Sequence, residues 1–532
     1  MSSLLITCMV LVFFAVMLAI GIYCKHTSAS VDGFVLGGRN VGAWLTAFAF
    51  GTSYFSAVIF VGYAGKFGWN FGLASTWVGL GNAFIGSLLA WVVLGRRTRV
   101  MTQHLQVKTM PDFFGKRYDS PALRLCSAAI VFVFLIPYTA SLYNGLSRLF
   151  TLAFPKADYA LCVIVMAAFT CLYVLIGGYL ATAINDFIQG MVMLVGIVVI
   201  IAAVLNTQGG FTEAVAKLSE VSHVNASGSV FHGAFTSFLG PDPLSLLVVV
   251  ILTSLGTWGL PQMVGKFYSI KNEAAIHKGT VISTVFAIIV AGGCYFLGGF
   301  SRLFSDTTEA GTPAVGFDAL VPTMLEKLSP FLIGIVLILV LSASMSTLSS
   351  LVLTSGSTLT LDFIEPICKK QFSERKKMSM IRVLIAFFVA LSAAIAIFQV
   401  KSSSESVAFI ADLMGVSWGA LAGSFLAPFL YGLYWKKVTK PACFASFGIG
   451  VGMSLLQLLK STLSLSFGCA FFDSVMFRSS LHSGVFAMGI TLFAVPLVSL
   501  LTRKHKLPDT DAIFSCYNKE VSVQITDSLA KS

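Results

Sequence analysis

Charge is scarce in this chain: Asp, Glu, Lys and Arg make up only 11% of its 532 residues, against 56% hydrophobic. That balance excludes an ordinary soluble domain, and the mean hydropathy of +0.87 points the same way. Histidine is sparse too. The 7 histidines fall in loops or at expected helix ends, which leaves no His-based proton relay through an apolar interior. The 10 cysteines are scattered, and none forms a close pair with metal-ligand spacing. Neither a disulfide framework nor a zinc or iron–sulfur site is expected. There is no HExxH motif, no nucleophile elbow and no pair of catalytic carboxylates in adjacent apolar segments, so an enzyme is not expected. The tail after Thr502 is only about thirty residues, too short for a folded signalling domain, which argues against a membrane sensor.

What is present is a succession of about thirteen apolar runs, each long enough to cross a hydrocarbon core of roughly 30 Å. The expected class is an all-α polytopic membrane protein. The run at 4–23 lacks a basic leading segment and is too long for a signal sequence, so it reads as a retained helix. The net charge of +12 describes topology rather than a nucleic-acid partner. With the N-terminus outside, most of the 35 Lys and Arg fall on the opposite side, including the clusters at 96–99 and 369–377. This positive-inside bias predicts a multi-pass protein of the plasma (inner) membrane, with a cytoplasmic C-terminus and anionic lipid head groups beside it.

Three features within the spans could carry chemistry. The first is the stretch 343–350, ASMSTLSS, near the end of a long apolar run. Ser346, Ser349 and Ser350 share a helical face by the i, i+3, i+4 rule, with Thr347 beside it. Such hydroxyls can replace the water shell of a small hard cation. They serve equally as small polar contacts between helices, and the residues alone leave both readings open. The second is a pair of breakable spans. One is 46–65, where Gly51, Thr52 and Ser53 sit near the middle. The other is 254–262, SLGTWGLPQ, where Pro261 removes a backbone donor. Interruption would free carbonyls at mid-membrane depth, whereas close packing and a simple kink are the alternatives. The third is ionisable: Asp186 at the end of its span and Asp412 nearer the middle of another, with Asp362 as a helix-end charge.

At this point the chain resembles the sodium/solute symporters, from Gly37 to about Lys437. The segments that carry the resemblance are GGRNVGAWLTAF, IGGYLATAINDFIQ, GLPQMVGKFYSIKN and SASMSTLSS followed by SGSTLTLDF. Local matches are nearest to the proline and pantothenate-like branches. The resemblance implies a LeuT-type core of two inverted five-helix repeats working by alternating access. Its halves would be 31–210 and 211–437, after an extra N-terminal helix at 1–30. Two peripheral helices at 438–505 and a cytoplasmic tail at 506–532 would follow. It implies a general sodium site at Thr52, Phe55, Ala343, Ser346 and Thr347. A second, at Asp186, Ser346, Ser349 and Ser350, would make the coupling ions one or two. Arg39 matches a basic residue at the inner end of the first core helix, with a coupling or gating role.

By the same resemblance the solute would be lined by Tyr54, Ser56, Ala57, Ile59, Trp77, Tyr138, Thr257, Pro261 and Trp418. Tyr138 lies in a good local match, IPYTASLYNGLSRLF. Two departures matter. The acidic residue of the proline branch is Tyr54 here, and the Gln and Glu of sugar carriers are Ile59 and Val78. Sugar is therefore disfavoured. The expected function is sodium-coupled import of a small organic solute, an amino acid such as proline or a small carboxylate. A proton-coupled carrier using Asp186 or Asp412 is the alternative for the ion.

Overall fold

The computed structural model describes all residues except 1, 155–157, 225–228, 310, 369–371, 403–408, 505–507 and 519–532. Most of the expected tail, 506–532, and the side chain of Asp412 lie outside the described residues. Nearly everything described is helical. The one two-stranded sheet among the described residues is a short antiparallel hairpin, His223–Val224 with Val230–Phe231.

The long helices, in chain order, are α1 (Ser2–Tyr23), α2 (Ala43–Tyr54), α3 (Val58–His104), α4 (Pro121–Ala153), α5 (Tyr159–Asn206), α6 (Pro243–Gly259) and α7 (Pro261–Ser269). They continue as α8 (Glu273–Leu303), α9 (Pro330–Cys368), α10 (Glu374–Ser402), α11 (Phe409–Tyr434), α12 (Lys440–Leu463) and α13 (Ser480–Leu501). Local signals set several starts. Ser120, Asp242 and Ser329 accept backbone N–H bonds at their helix N-termini, each with proline next in line. Proline there costs nothing, because its missing N–H would have had no helical partner.

Among the described residues, 10 helices are long and apolar enough to cross a bilayer, or 11 if the bent pair α6–α7 counts as one span. This is fewer than the expected thirteen, and two of the helices are unusually long. Helices α3 and α5 run for 47 and 48 residues. At 1.5 Å per residue that is about 70 Å, more than twice a hydrocarbon core. Each carries a non-helical glycine, Gly72 at φ +61 and Gly178 at φ +56. At Gly178 a side chain would meet the Phe34 backbone at 2.9 Å.

Helix α1 is built into the bundle. Ile6, Val10, Phe13, Phe14 and Met17 are buried, and Phe14 stacks on Phe169 of α5 at 4.2 Å. In α11 the run Gly415, Val416, Ser417, Trp418, Gly419 spells the GxSxG spacing. It lies inside a continuous helix, and Ser417 Oγ donates to Leu413 O at 2.9 Å, so no elbow is formed.

Helices α3 and α8 approach through facing glycines. A Cβ on Gly298 would lie 2.1 Å from Ala64 O, and one on Gly68 only 1.8 Å from Gly298 O. Without a hydrophobic force between helices in lipid, such small-residue contacts decide which helices touch. Gly298→Val should therefore force the two apart and destabilise the fold by about 1–3 kcal/mol. A thermal unfolding series in detergent checks this, and an unchanged midpoint would refute the close contact.

Candidate functional site

Both breakable spans are interrupted. In the first, α2 ends at Tyr54, Phe55 is extended (φ −97°, ψ +121°), and helix resumes just beyond Ser56. The break thus falls two to four residues later than Gly51–Ser53. In the second, Leu260 is extended between α6 and α7, which bend by 50°. The segments leading out of these breaks are tied at their far ends. Val41 N donates to Ser269 O at 3.0 Å, and Lys271 N donates to Val41 O at 2.9 Å. Arg39 reinforces the tie by donating to the carbonyls of Tyr268 (3.3 Å) and Val107.

The hydroxyls of α9 lie against the first break. Ser346 Oγ is 3.2 Å from Thr52 O and 3.1 Å from Ala343 O. Thr347 Oγ1 is within 3.4 Å of four carbonyl oxygens: Thr52, Ser53, Phe55 and Ala343. All five residues expected at the general sodium site therefore converge, joined by Ser53. A threonine hydroxyl has one proton to give, so it cannot satisfy four carbonyls. The cluster is rich in lone pairs and short of protons, which is the donor set a hard cation takes. Ser346 and Thr347 are fully buried.

The remaining hydroxyls divide. Ser349 Oγ donates back to Ser346 O at 2.9 Å. Ser350 Oγ meets Ser53 Oγ at 2.8 Å and accepts from Lys266 Nζ at 2.8 Å. Asp186 does not reach the row directly; its Oδ2 is 3.6 Å from the same Lys266 Nζ. Lys266 was not anticipated. In sequence it falls just past the apolar run, where a lysine reads as a loop cation. The signal in the sequence is its spacing, since Gln262 and Ser269 stand at i−4 and i+3 and share its face in an otherwise apolar segment.

A cleft of about 50 Å³ borders Lys266 and Ser350, lined also by Tyr179, Pro261, Gln262 and Thr354. Towards the far end of α9, Asp362 is fully buried and paired with Arg124 Nε at 2.8 Å, and Arg124 also reaches Asp112 at 3.4 Å. Thr109 donates to Asp362 as well. This fits a helix-end charge that fastens α9 to α4.

The expected solute residues are only partly assembled. Trp418 packs against Tyr54 at 6.3 Å and edge-on to Tyr138 at 6.0 Å, and all three are buried. Tyr54 donates its hydroxyl to Thr253 O, and Thr257 to Ser254 O at 2.8 Å. Ser56, Ala57 and Ile59 follow the first break and are fully buried. Trp77 lies apart. Its indole donates to Phe238 O at 2.9 Å, and it lines an apolar groove with Phe84, Phe238 and Leu246. Helix α3 turns its Trp77 face towards Phe238 in the loop before α6.

Membrane-length helices with two interrupted segments, one of them beside a buried oxygen cluster, are the architecture of a secondary transporter. The comparisons agree. The model described as Sodium:solute symporter family matches residues 34–450. The chain is 30% identical over 441 residues to the sodium/proline symporter of Staphylococcus aureus (strain JH9), covering 81% of each. It is 28% identical over 452 residues to the osmoregulated proline transporter of Bacillus subtilis (strain 168), covering 84% of this chain and 87% of that one. Among solved structures, it resembles a Na+-coupled sialic acid symporter in a substrate-bound outward-open state. The TM-score is 0.71 at 17% identity, covering 93% of this chain and 97% of that one. A nucleobase-cation-symport-1 family transporter in a closed conformation matches with a TM-score of 0.50 at 14% identity, covering 91% and 98%. These neighbours are LeuT-fold transporters. The chain belongs to the sodium:solute symporter family; it is a sodium-coupled carrier of a small solute and not an enzyme.

The Ser56 hydroxyl is buried and has no hydrogen-bond partner among the described residues. Ser56→Ala therefore loses no protein hydrogen bond, and its unfolding midpoint should be unchanged or raised. A fall in midpoint would show that the hydroxyl is bonded within the protein.

Proposed function

We propose that this chain imports a small organic solute, an amino acid such as proline or a small carboxylate, driven by sodium. The oxygen cluster between Thr52–Phe55 and Ala343–Thr347 carries this reading. An ion held there joins α2 to α9 and favours the state in which the two meet. Each charge moved inward gains about 2.3 kcal/mol per 100 mV. The box of Tyr54, Tyr138 and Trp418, with the Ser56 hydroxyl beside the break, suits an apolar ring bearing polar ends. The named substrate of the two curated relatives supports proline.

On this reading α3 and α5 each turn at their glycine, Gly72 and Gly178, and supply more than one crossing. That gives thirteen crossings, with repeats at 31–210 and 211–437, an extra helix at 1–30 and peripheral helices at 438–505. The N-terminus is outside and the tail at 506–532 cytoplasmic, as the distribution of basic residues favours. Arg39 and the backbone tie at Val41 then close the inner side, and the cleft beside Lys266 lies on the path inward.

Uptake of radiolabelled proline into proteoliposomes under an inward sodium gradient tests this, with other amino acids and short carboxylates as competitors. Ser346→Ala and Thr347→Ala should each raise the half-saturating sodium concentration on the order of 10- to 100-fold. That is the loss of an oxygen ligand worth about 1.5–3 kcal/mol to a charge. Sodium activation unchanged in both variants would overturn the site. Uptake driven by a proton gradient without sodium would favour the proton-coupled reading.

A further inference from the structure

Two of the four residues expected to hold a second sodium ion, Asp186 and Ser350, are already met by a cation of the chain itself. Lys266 Nζ lies 2.8 Å from Ser350 Oγ and 3.6 Å from Asp186 Oδ2. It also stands 5.3 Å from the centre of the Tyr179 ring. Its side chain is 3% exposed and that of Asp186 0%. A sodium ion and an ammonium group ask for the same surroundings: a negative charge, oxygen lone pairs and an aromatic face. One carboxylate cannot balance two cations in so dry a place, because their mutual repulsion is hardly screened there.

We infer that Lys266 is a built-in cation standing where a second sodium ion would bind, so that this chain binds one sodium per transport cycle. The inference rests on the assignment of the first ion to Ser346 and Thr347. The geometry separates the two roles along one helix. Ser346 and Thr347 turn to the freed carbonyls of α2, whereas Ser350, one turn on, accepts from Lys266 of α7 and meets α2 only through the Ser53 hydroxyl. The tethered charge joins α5, α7 and α9 whether or not an ion is present. Only the junction of α2 with α9 is left to respond to sodium. Lys266 is thus a positioning residue that sets ion number, and it does not contact the transported ion.

Equilibrium binding of sodium-22 to the purified full chain counts ions without knowledge of the solute. The unmodified protein should bind one ion per chain. Lys266→Ala and Lys266→Gln leave Asp186 and Ser350 facing each other, and each should bind two, with a steeper sodium dependence of thermal stabilisation. Lys266→Arg should keep the count at one, and so should Lys266→Ala combined with Asp186→Asn. Two ions in the unmodified protein would overturn this inference and leave the first site standing. A count of one in whichever of Lys266→Ala and Lys266→Gln folds would also overturn it. No bound sodium in the unmodified protein would overturn the first site and this inference together. If neither single variant folds, the unmodified count and that of Lys266→Arg decide.

Discussion

A helix can be opened inside a membrane only where something else takes up the backbone groups it releases. That constraint organises this protein. The opening of α2 at Phe55 is matched by two hydroxyls of α9, Ser346 and Thr347, which stand where the released carbonyls point. The match is deliberately incomplete in protons, since Thr347 has four carbonyls around it and one hydrogen. A fully satisfied break would be a structural kink. A break short of positive charge offers its oxygens to a cation, which is the basis of the proposed sodium site. The rest of the bundle then has the task of holding α2 and α9 in register while leaving them free to part.

Much of this was legible in the sequence. The hydroxyl row could be read because its spacing repeats with the helix, and the second break because proline has a fixed chemical consequence. The first break was placed slightly early, at Gly51–Ser53. Small residues announce that a helix can open, and the packing around it decides which peptide does. Asp186 stands out in the sequence as an acid at the end of a span, but nothing there marks Lys266 as its neighbour. Lys266 lies just beyond the apolar run that marks α6, and only the 50° bend folds α7 back into the interior. Trp77 packs on Phe238 and not with Tyr54 and Trp418, and an aromatic residue carries no mark in sequence of which neighbour its face will meet.

Charge in this bundle works by enclosure rather than by number. Asp362, Arg124 and Asp112 fasten the far end of α9 to α4 and its preceding loop. Breaking such a buried pair leaves an uncompensated charge, which typically costs about 3–5 kcal/mol. These pairs are therefore poor candidates for random drift between partners, and good ones for fixing one arrangement of helices. The Gly68–Gly298 contact does the same without charge, by letting two backbones come so close that no other pair of helices could take their place.

The backbone tie between Val41 and the Ser269–Lys271 segment has a mechanical consequence. It links the beginning of one interrupted helix to the end of the other, so a tilt of either pulls on its partner through backbone alone. On the proposed reading, a tilt started by an ion at Phe55 would reach Pro261 and the cleft beside it without side-chain repacking. Ion arrival and solute release would then be two edges of one moving part, and slippage between them would require those two hydrogen bonds to break.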